Sequence, residues 1–160
     1  MAPLRTKITE FLDERRVSYS VKYHNILVFT SEDAAVQRGV RLSQIVKTML
    51  LHDGEQVVVA VLPADKRLDI KRLKKLSGHG NLQFMDKESI ERKTELIVGA
   101  IAPIGKGLEG IPIFVDPSVF NEEFLDISSG APNAGLELHR DVLKGLLGEA
   151  VFADITKKEG

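Results

Sequence analysis

Lys47 interrupts an otherwise apolar run, Ile45-Val46-Lys47-Thr48-Met49-Leu50-Leu51. Lysine is seldom enclosed by such neighbours without a task or a way out for its ammonium. In a strand it shares a face with Met49 and Leu51, so the ammonium either leaves at the strand end or points into a pocket. Held in a pocket with an ordinary pKa, it is protonated at neutral pH and is a positive electrostatic clamp. A second feature is the loop Gly99-Ala100-Ile101-Ala102-Pro103-Ile104-Gly105, too apolar for a plain surface connection and too rich in Gly and Pro for regular structure. Read alone, it is a tight turn packed on the core or a loop offering main-chain N–H groups to an oxyanion. A third is the stretch Lys66 to Lys75, with six basic residues in ten. It reads as the solvated face of an amphipathic helix or as a contact for phosphates.

Other chemistries are excluded by what the chain lacks. There is no cysteine, hence no disulfide, thiolate nucleophile or thiolate-bound metal. No P-loop, nucleophile elbow or dinucleotide fingerprint is present. His24, His52, His79 and His139 are too scattered to read as a metal cluster, so neither metal nor cofactor is expected. A net charge of −1 gives no long-range attraction for a polyanion, so any nucleic-acid contact is local. With seven Phe, two Tyr and no Trp, and none of them in the basic stretch, a general single-strand binder is disfavoured.

The elements that position these residues alternate between helix and strand. Leu4, Ile8, Phe11 and Leu12 form one stripe of a first helix, and Val17, Tyr19, Val21 and Tyr23 alternate as a half-buried strand does. Thr30 or Ser31 caps a short helix through Arg38 that ends at Gly39, and a helical turn starts near Ser43. Val46 to Leu51 and Val57 to Leu62 pair as a hairpin through Asp53-Gly54. The basic stretch continues as a helix to about Leu76. Then follow a strand at Leu82 to Phe84, a helix from Asp86 to Arg92 and a Gly/Pro-rich loop from Gly99 to Gly110. Strands at Ile111 to Val115, Phe124 to Ile127, Leu136 to Leu138 and Val151 to Ile155 complete the pattern, with a helix from Arg140 to Leu147. Some seven strands broken by short helices suit a mixed or closed sheet better than a doubly wound parallel one. The length of 160 residues, with 43% hydrophobic and 28% charged residues, fits one ordinary domain spanning 1–160. No apolar run approaches a membrane span and the first residues lack a signal-peptide core, so a soluble, cytoplasmic protein without membrane contact is expected.

Taken in order, the stretches Val28 to Ala35, Ile45 to Leu51, Val57 to Asp69, Gly99 to Gly105, Ile113 to Asp116, Ile127 to Gly130 and Ala150 to Ile155 resemble the YbaK/ProX family of aminoacyl-tRNA deacylases, relatives of the prolyl-tRNA synthetase editing domain. The resemblance implies an α/β fold with a mixed, barrel-like sheet flanked by short helices. It implies hydrolysis of the ester joining a small wrong amino acid to tRNA-Pro or another tRNA, with aminoacyl-tRNA as substrate and prolyl-tRNA synthetase as a candidate partner. The alternative is a non-catalytic module that binds aminoacyl-tRNA or an amino acid and regulates a synthetase. The family's active-site lysine falls on Lys47, with Gly99 and Ala100 as main-chain donors. Its substrate pocket falls on Phe29, Thr30, Ser31, Ile101, Pro103, Gly105, Ser129, Gly130 and Asn133. The acceptor stem would meet Lys66, Arg67, Lys71, Arg72, Lys74 and Lys75. Two departures from the family pattern stand out: Glu95-Leu96 ahead of the Gly/Pro loop, at one pocket wall, and Ala131 to Ala134 after the Ser-Gly turn, so the resemblance does not carry over the amino-acid specificity.

Overall fold

The computed structural model describes residues 3–94, 101–105 and 107–158. Helix α1 (Lys7–Glu14) starts where the Thr6 hydroxyl accepts from the Thr9 N–H at 3.1 Å and the Thr9 hydroxyl accepts in turn from the Thr6 N–H at 2.8 Å. Ile8 and Leu12 are its buried face. The central hairpin is β2 (Val46–His52) and β3 (Val57–Pro63), paired antiparallel from Val46↔Pro63 to His52↔Val57. Gly54 turns it with φ +101°, a conformation side-chain-bearing residues avoid, and Asp53 Oδ1 accepts from the Glu55 and Gln56 N–H groups at 3.0 and 2.7 Å.

β3 is buried on both faces from Val58 to Leu62, as a strand in the middle of a covered sheet must be. Val59 and Val61 meet Val46, Leu50, Val115, Leu125 and Leu136 on one side. Val58, Ala60 and Leu62 meet Leu51, Leu73, Leu82, Phe114 and Ile155 on the other. That second layer lies under α3 (Ile70–Ser77), whose start is capped by Asp69 and whose end is Gly78. Strands β4 (Gln83–Phe84), β5 (Ile113–Val115) and β8 (Val151–Phe152) complete a five-stranded sheet ordered β4-β2-β3-β5-β8, in which β5 runs parallel to both β3 and β8. A separate antiparallel sheet is ordered β1-β7-β6, from β1 (Ser20–Tyr23), β7 (Ala134–His139) and β6 (Phe124–Ser128). Helices α2 (Ser31–Arg38), α4 (Lys87–Thr94) and α5 (Arg140–Leu146) fill the connections.

The fold is the expected mixed α/β arrangement with short flanking helices, but its strands form two sheets rather than one barrel-like sheet. Closure stops at the second edge of β2. β4 pairs there only with Leu51 and His52, and β6 meets it only through the bridge Ile45↔Asp126. The Leu50 carbonyl accepts from the Met85 N–H at 3.1 Å, so by strand alternation the main-chain groups of Thr48 face the same side, where no described strand pairs with them. β1 and β8 are shorter than their apolar patterns predict. At the second, the chain turns away from β5, and the Ile155 N–H donates to the buried Asp116 Oδ1 at 2.8 Å instead of to a neighbouring strand.

Candidate active site

The gap between the sheets is a cavity of about 340 Å³. Its roof is the segment Val28–Ser31 and the start of α2. Val28 is buried and its N–H donates to the Pro132 carbonyl at 2.9 Å, which fixes the segment and leaves Phe29 projecting, 68% exposed. The Thr30 hydroxyl accepts from the Asp33 N–H at 3.1 Å and so starts α2, while Glu32 and Asp33 complement its positive end. The floor is the stretch of β2 edge that no described strand pairs, and Phe84 from β4, 52% exposed, stands at the cavity with Phe29.

Lys47, the second residue of β2, lines this cavity half-buried. Its Nζ donates to the Lys66 carbonyl at 3.2 Å, and no carboxylate lies within ion-pairing distance of it among the described residues. Burial lowers its pKa below the ordinary lysine value; Glu32 and Asp65 oppose that shift and Arg67 adds to it. An ammonium with three donors and one neutral protein partner keeps two for a ligand oxygen. The strand pattern left open whether this lysine escapes to solvent or enters a pocket; it sits at the pocket wall.

Phe29, Thr30, Ser31 and Ile101 join Lys47 around the same cavity. Gly99 and Ala100 fall outside the described residues, as do Glu95 and Leu96. Pro103 and Gly105 line a different cavity, of about 660 Å³, beside Phe11 and the segment 145–150. Ser129 is fully buried, its hydroxyl donating to the Ala134 carbonyl at 2.6 Å, and Gly130 packs on Thr6. Asn133 is exposed, and its carbonyl accepts from the His24 N–H at 3.0 Å. In this turn it is Ser128 that reaches the cavity. Of the basic stretch, Lys71, Lys75 and Arg67 are exposed and Lys66 and Lys74 partly so. Arg72 is engaged within the protein, 2.5 Å from Asp154 and 3.6 Å from Asp69.

The cavity wall also holds residues that sequence reasoning missed. Arg38 Nη1 lies 2.6 Å from Asp126 Oδ1, with side chains 7% and 1% exposed. Arg38 is fixed further by the Ala134 carbonyl at 3.2 Å and His24 Nε2 at 3.3 Å. Asp126 Oδ2 and Thr48 Oγ1 are buried without a hydrogen-bond partner among the described residues. Burial pushes the Asp126 carboxyl up, and Arg38 opposes this. The signal was available: Asp126 stands between Leu125 and Ile127 in a strand, as Lys47 stands between Val46 and Thr48.

Residues 27–146 match the family model described as the aminoacyl-tRNA editing domain. A protein of Enterococcus faecalis named EbsC, a candidate Cys-tRNA(Pro)/Cys-tRNA(Cys) deacylase, is 28% identical over 131 residues, covering 81% of this chain and 79% of its own. The prolyl-tRNA editing protein ProX of Acetoanaerobium sticklandii is 29% identical over 96 residues, 59% of this chain and 58% of its own. The crystal structure of a hypothetical protein superposes with a TM-score of 0.84 at 28% identity, over 95% of this chain and 100% of that one.

Proposed function

Since the chain belongs to the aminoacyl-tRNA editing domain family, we propose that it is a deacylase which hydrolyses the ester between a small wrong amino acid and the 3′-terminal ribose of tRNA-Pro or another tRNA. The observation that carries this reading is the half-buried ammonium of Lys47 in a cavity between the sheets, without a carboxylate partner among the described residues. Water adds to the ester carbonyl carbon, the oxyanion that forms is held by Lys47, and the C–O bond to the ribose breaks as that oxygen takes a proton. Amino acid and tRNA with a free terminal hydroxyl are released. Aminoacyl esters are activated already, so positioning and oxyanion stabilisation suffice without a covalent nucleophile. Gly99 and Ala100 supply main-chain donors in this proposal, Phe29 and Ile101 bound the pocket, and a polar group of the substrate itself serves as base. The test is release of amino acid from tRNA-Pro charged with Ala, Cys, Ser or Pro. No release from any of the four, with binding intact, would turn the reading into a regulatory module.

The acceptor stem is assigned to α3 and the loop before it. Lys71, Lys74 and Lys75 are the residues to change, because Arg72 is held by Asp154 and Asp69. Replacing the three lysines by Gln is expected to raise the apparent KM at low salt and to lower the slope of log affinity against log salt by about one unit for each phosphate no longer neutralised. An unchanged slope places the stem elsewhere. Prolyl-tRNA synthetase is the proposed partner, and pull-down of the wild type with that enzyme in the presence of tRNA-Pro tests it. No helix among the described residues is long and apolar enough to cross a membrane.

A further inference from the structure

The Arg38–Asp126 pair is not needed to hold Lys47, yet it lies in the wall of the same cavity. Its geometry is lopsided. Asp126 Oδ1 is taken by Arg38 at 2.6 Å, while Oδ2, equally buried, has no partner among the described residues. A carboxylate oxygen out of water with nothing to accept from is costly, and such groups in native structures commonly await a water or a ligand. Thr48 Oγ1 is in the same condition in the same wall. The rest of the lining sets the apolar Val28, Ile45, Leu50, Met85 and Ile101 beside the hydroxyl-bearing Thr30, Ser31 and Ser128.

From this we infer that Asp126 is a specificity-determining residue which accepts a hydrogen bond from the aminoacyl side chain, so that the pocket selects a small hydroxyl-bearing residue, serine, over its apolar isostere alanine. The inference rests on the deacylase reading for the identity of the ligand. Charge decides between a hydroxyl and a further ammonium as the donor. Arg38 already neutralises Asp126, and Lys47 brings another positive charge to the cavity, so a second cation at Asp126 would be unbalanced whereas a neutral O–H is not. A site built to hydrogen-bond a hydroxyl rejects the analogue lacking it, because its own polar groups are then left unpaired. Arg38 is a positioning residue: held by Ala134 and His24, it keeps Oδ1 engaged and leaves Oδ2 for the ligand.

The experiment uses non-hydrolysable probes, 3′-seryl- and 3′-alanyl-amino-3′-deoxyadenosine, titrated calorimetrically into the full chain. Wild type is expected to bind the seryl probe roughly 10- to 100-fold more tightly. In the double variant Arg38→Leu and Asp126→Leu, which removes both charges together and so avoids stranding one, the ratio is expected to fall to about 1 or invert. A thermal melt confirms that the double variant folds. Asp126→Asn, in which Arg38 retains an oxygen partner and an amide N–H₂ replaces Oδ2, serves as the isosteric variant and should lose part of the preference. Equal affinities in wild type, or a seryl preference that survives in the double variant, overturn the assignment. Turnover of Ser- and Ala-tRNA-Pro is measured separately. Selective binding without hydrolysis leaves Asp126 assigned and removes the deacylase reading, whereas hydrolysis of both at equal rates, with equal probe affinities, does the reverse.

Discussion

Replacing Lys47 by alanine is expected to lower single-turnover deacylation of the best substrate by about two to three orders of magnitude, the range found when one preorganised donor is removed from an oxyanion site. The loss should fall on the chemical step more than on KM, since the interaction strengthens as charge develops on the carbonyl oxygen. Stability should change little, because Nζ has one neutral partner, the Lys66 carbonyl, and its removal strands no buried charge. Lys47→Arg keeps the charge but alters the shape of the donor, so partial activity is expected from it, and from Lys47→Met no more than the residual rate of Lys47→Ala. The pH profile is a second readout. The clamp works protonated, and burial lowers the pKa of Lys47, so the enzyme-dependent rate, corrected for spontaneous hydrolysis, should decline with rising pH before an ordinary lysine would titrate. Wild-type rates from Lys47→Ala would remove this residue from the mechanism.

Gly135→Ala is expected to destabilise the fold by about 2–4 kcal/mol in urea denaturation, approaching the cost of breaking a buried ion pair. The glycine sits in β7, facing Lys22 on β1 and Ser128 on β6. A methyl group there would stand 2.4 Å from Arg38 Nε and 2.6 Å from its Cζ. A free arginine end would swing aside cheaply; this one is tied to Asp126, Ala134 and His24. Moving it leaves the Asp126 carboxylate buried opposite Glu137 on the neighbouring strand, its cross-strand partner. In an Arg38→Ala, Asp126→Ala background the same glycine substitution should cost under about 0.5 kcal/mol, and the double-mutant comparison isolates the coupling. An equal cost in both backgrounds would mean that the strand itself, not the ion pair, requires glycine.

Most of the frame was legible from local pattern. The Asp53-Gly54 hairpin, the Thr30 cap with its Gly39 stop, and the amphipathic α3 between Asp69 and Gly78 each rest on residues close together in the chain. The division into two sheets was not legible, because it depends on where β4 and β6 stop pairing with β2, residues far apart in the chain. The same limit governs the site. Lys47 showed itself by standing among apolar neighbours, but Arg38 looked like an ordinary basic helix end. Only the fold brings it against Asp126, 88 positions away. Pro103 and Gly105, read as part of one loop with Ile101, separate from it in space and face the other cavity.

The open stretch of β2 has a consequence for association between molecules. Unpaired strand edges are templates on which other chains add, the first step towards aggregates. Among the described residues β4 occupies the edge from residue 50 to 52 and β6 touches it at Ile45, leaving a window of roughly 13 Å at about 3.3 Å per residue. Within that window the alternation of the strand turns few main-chain groups outward, chiefly those of Thr48. A foreign strand would find too few hydrogen bonds there and the Arg38–Asp126 pair close by, while a small ligand needs no more than this. The chain thus keeps an edge open without becoming sticky.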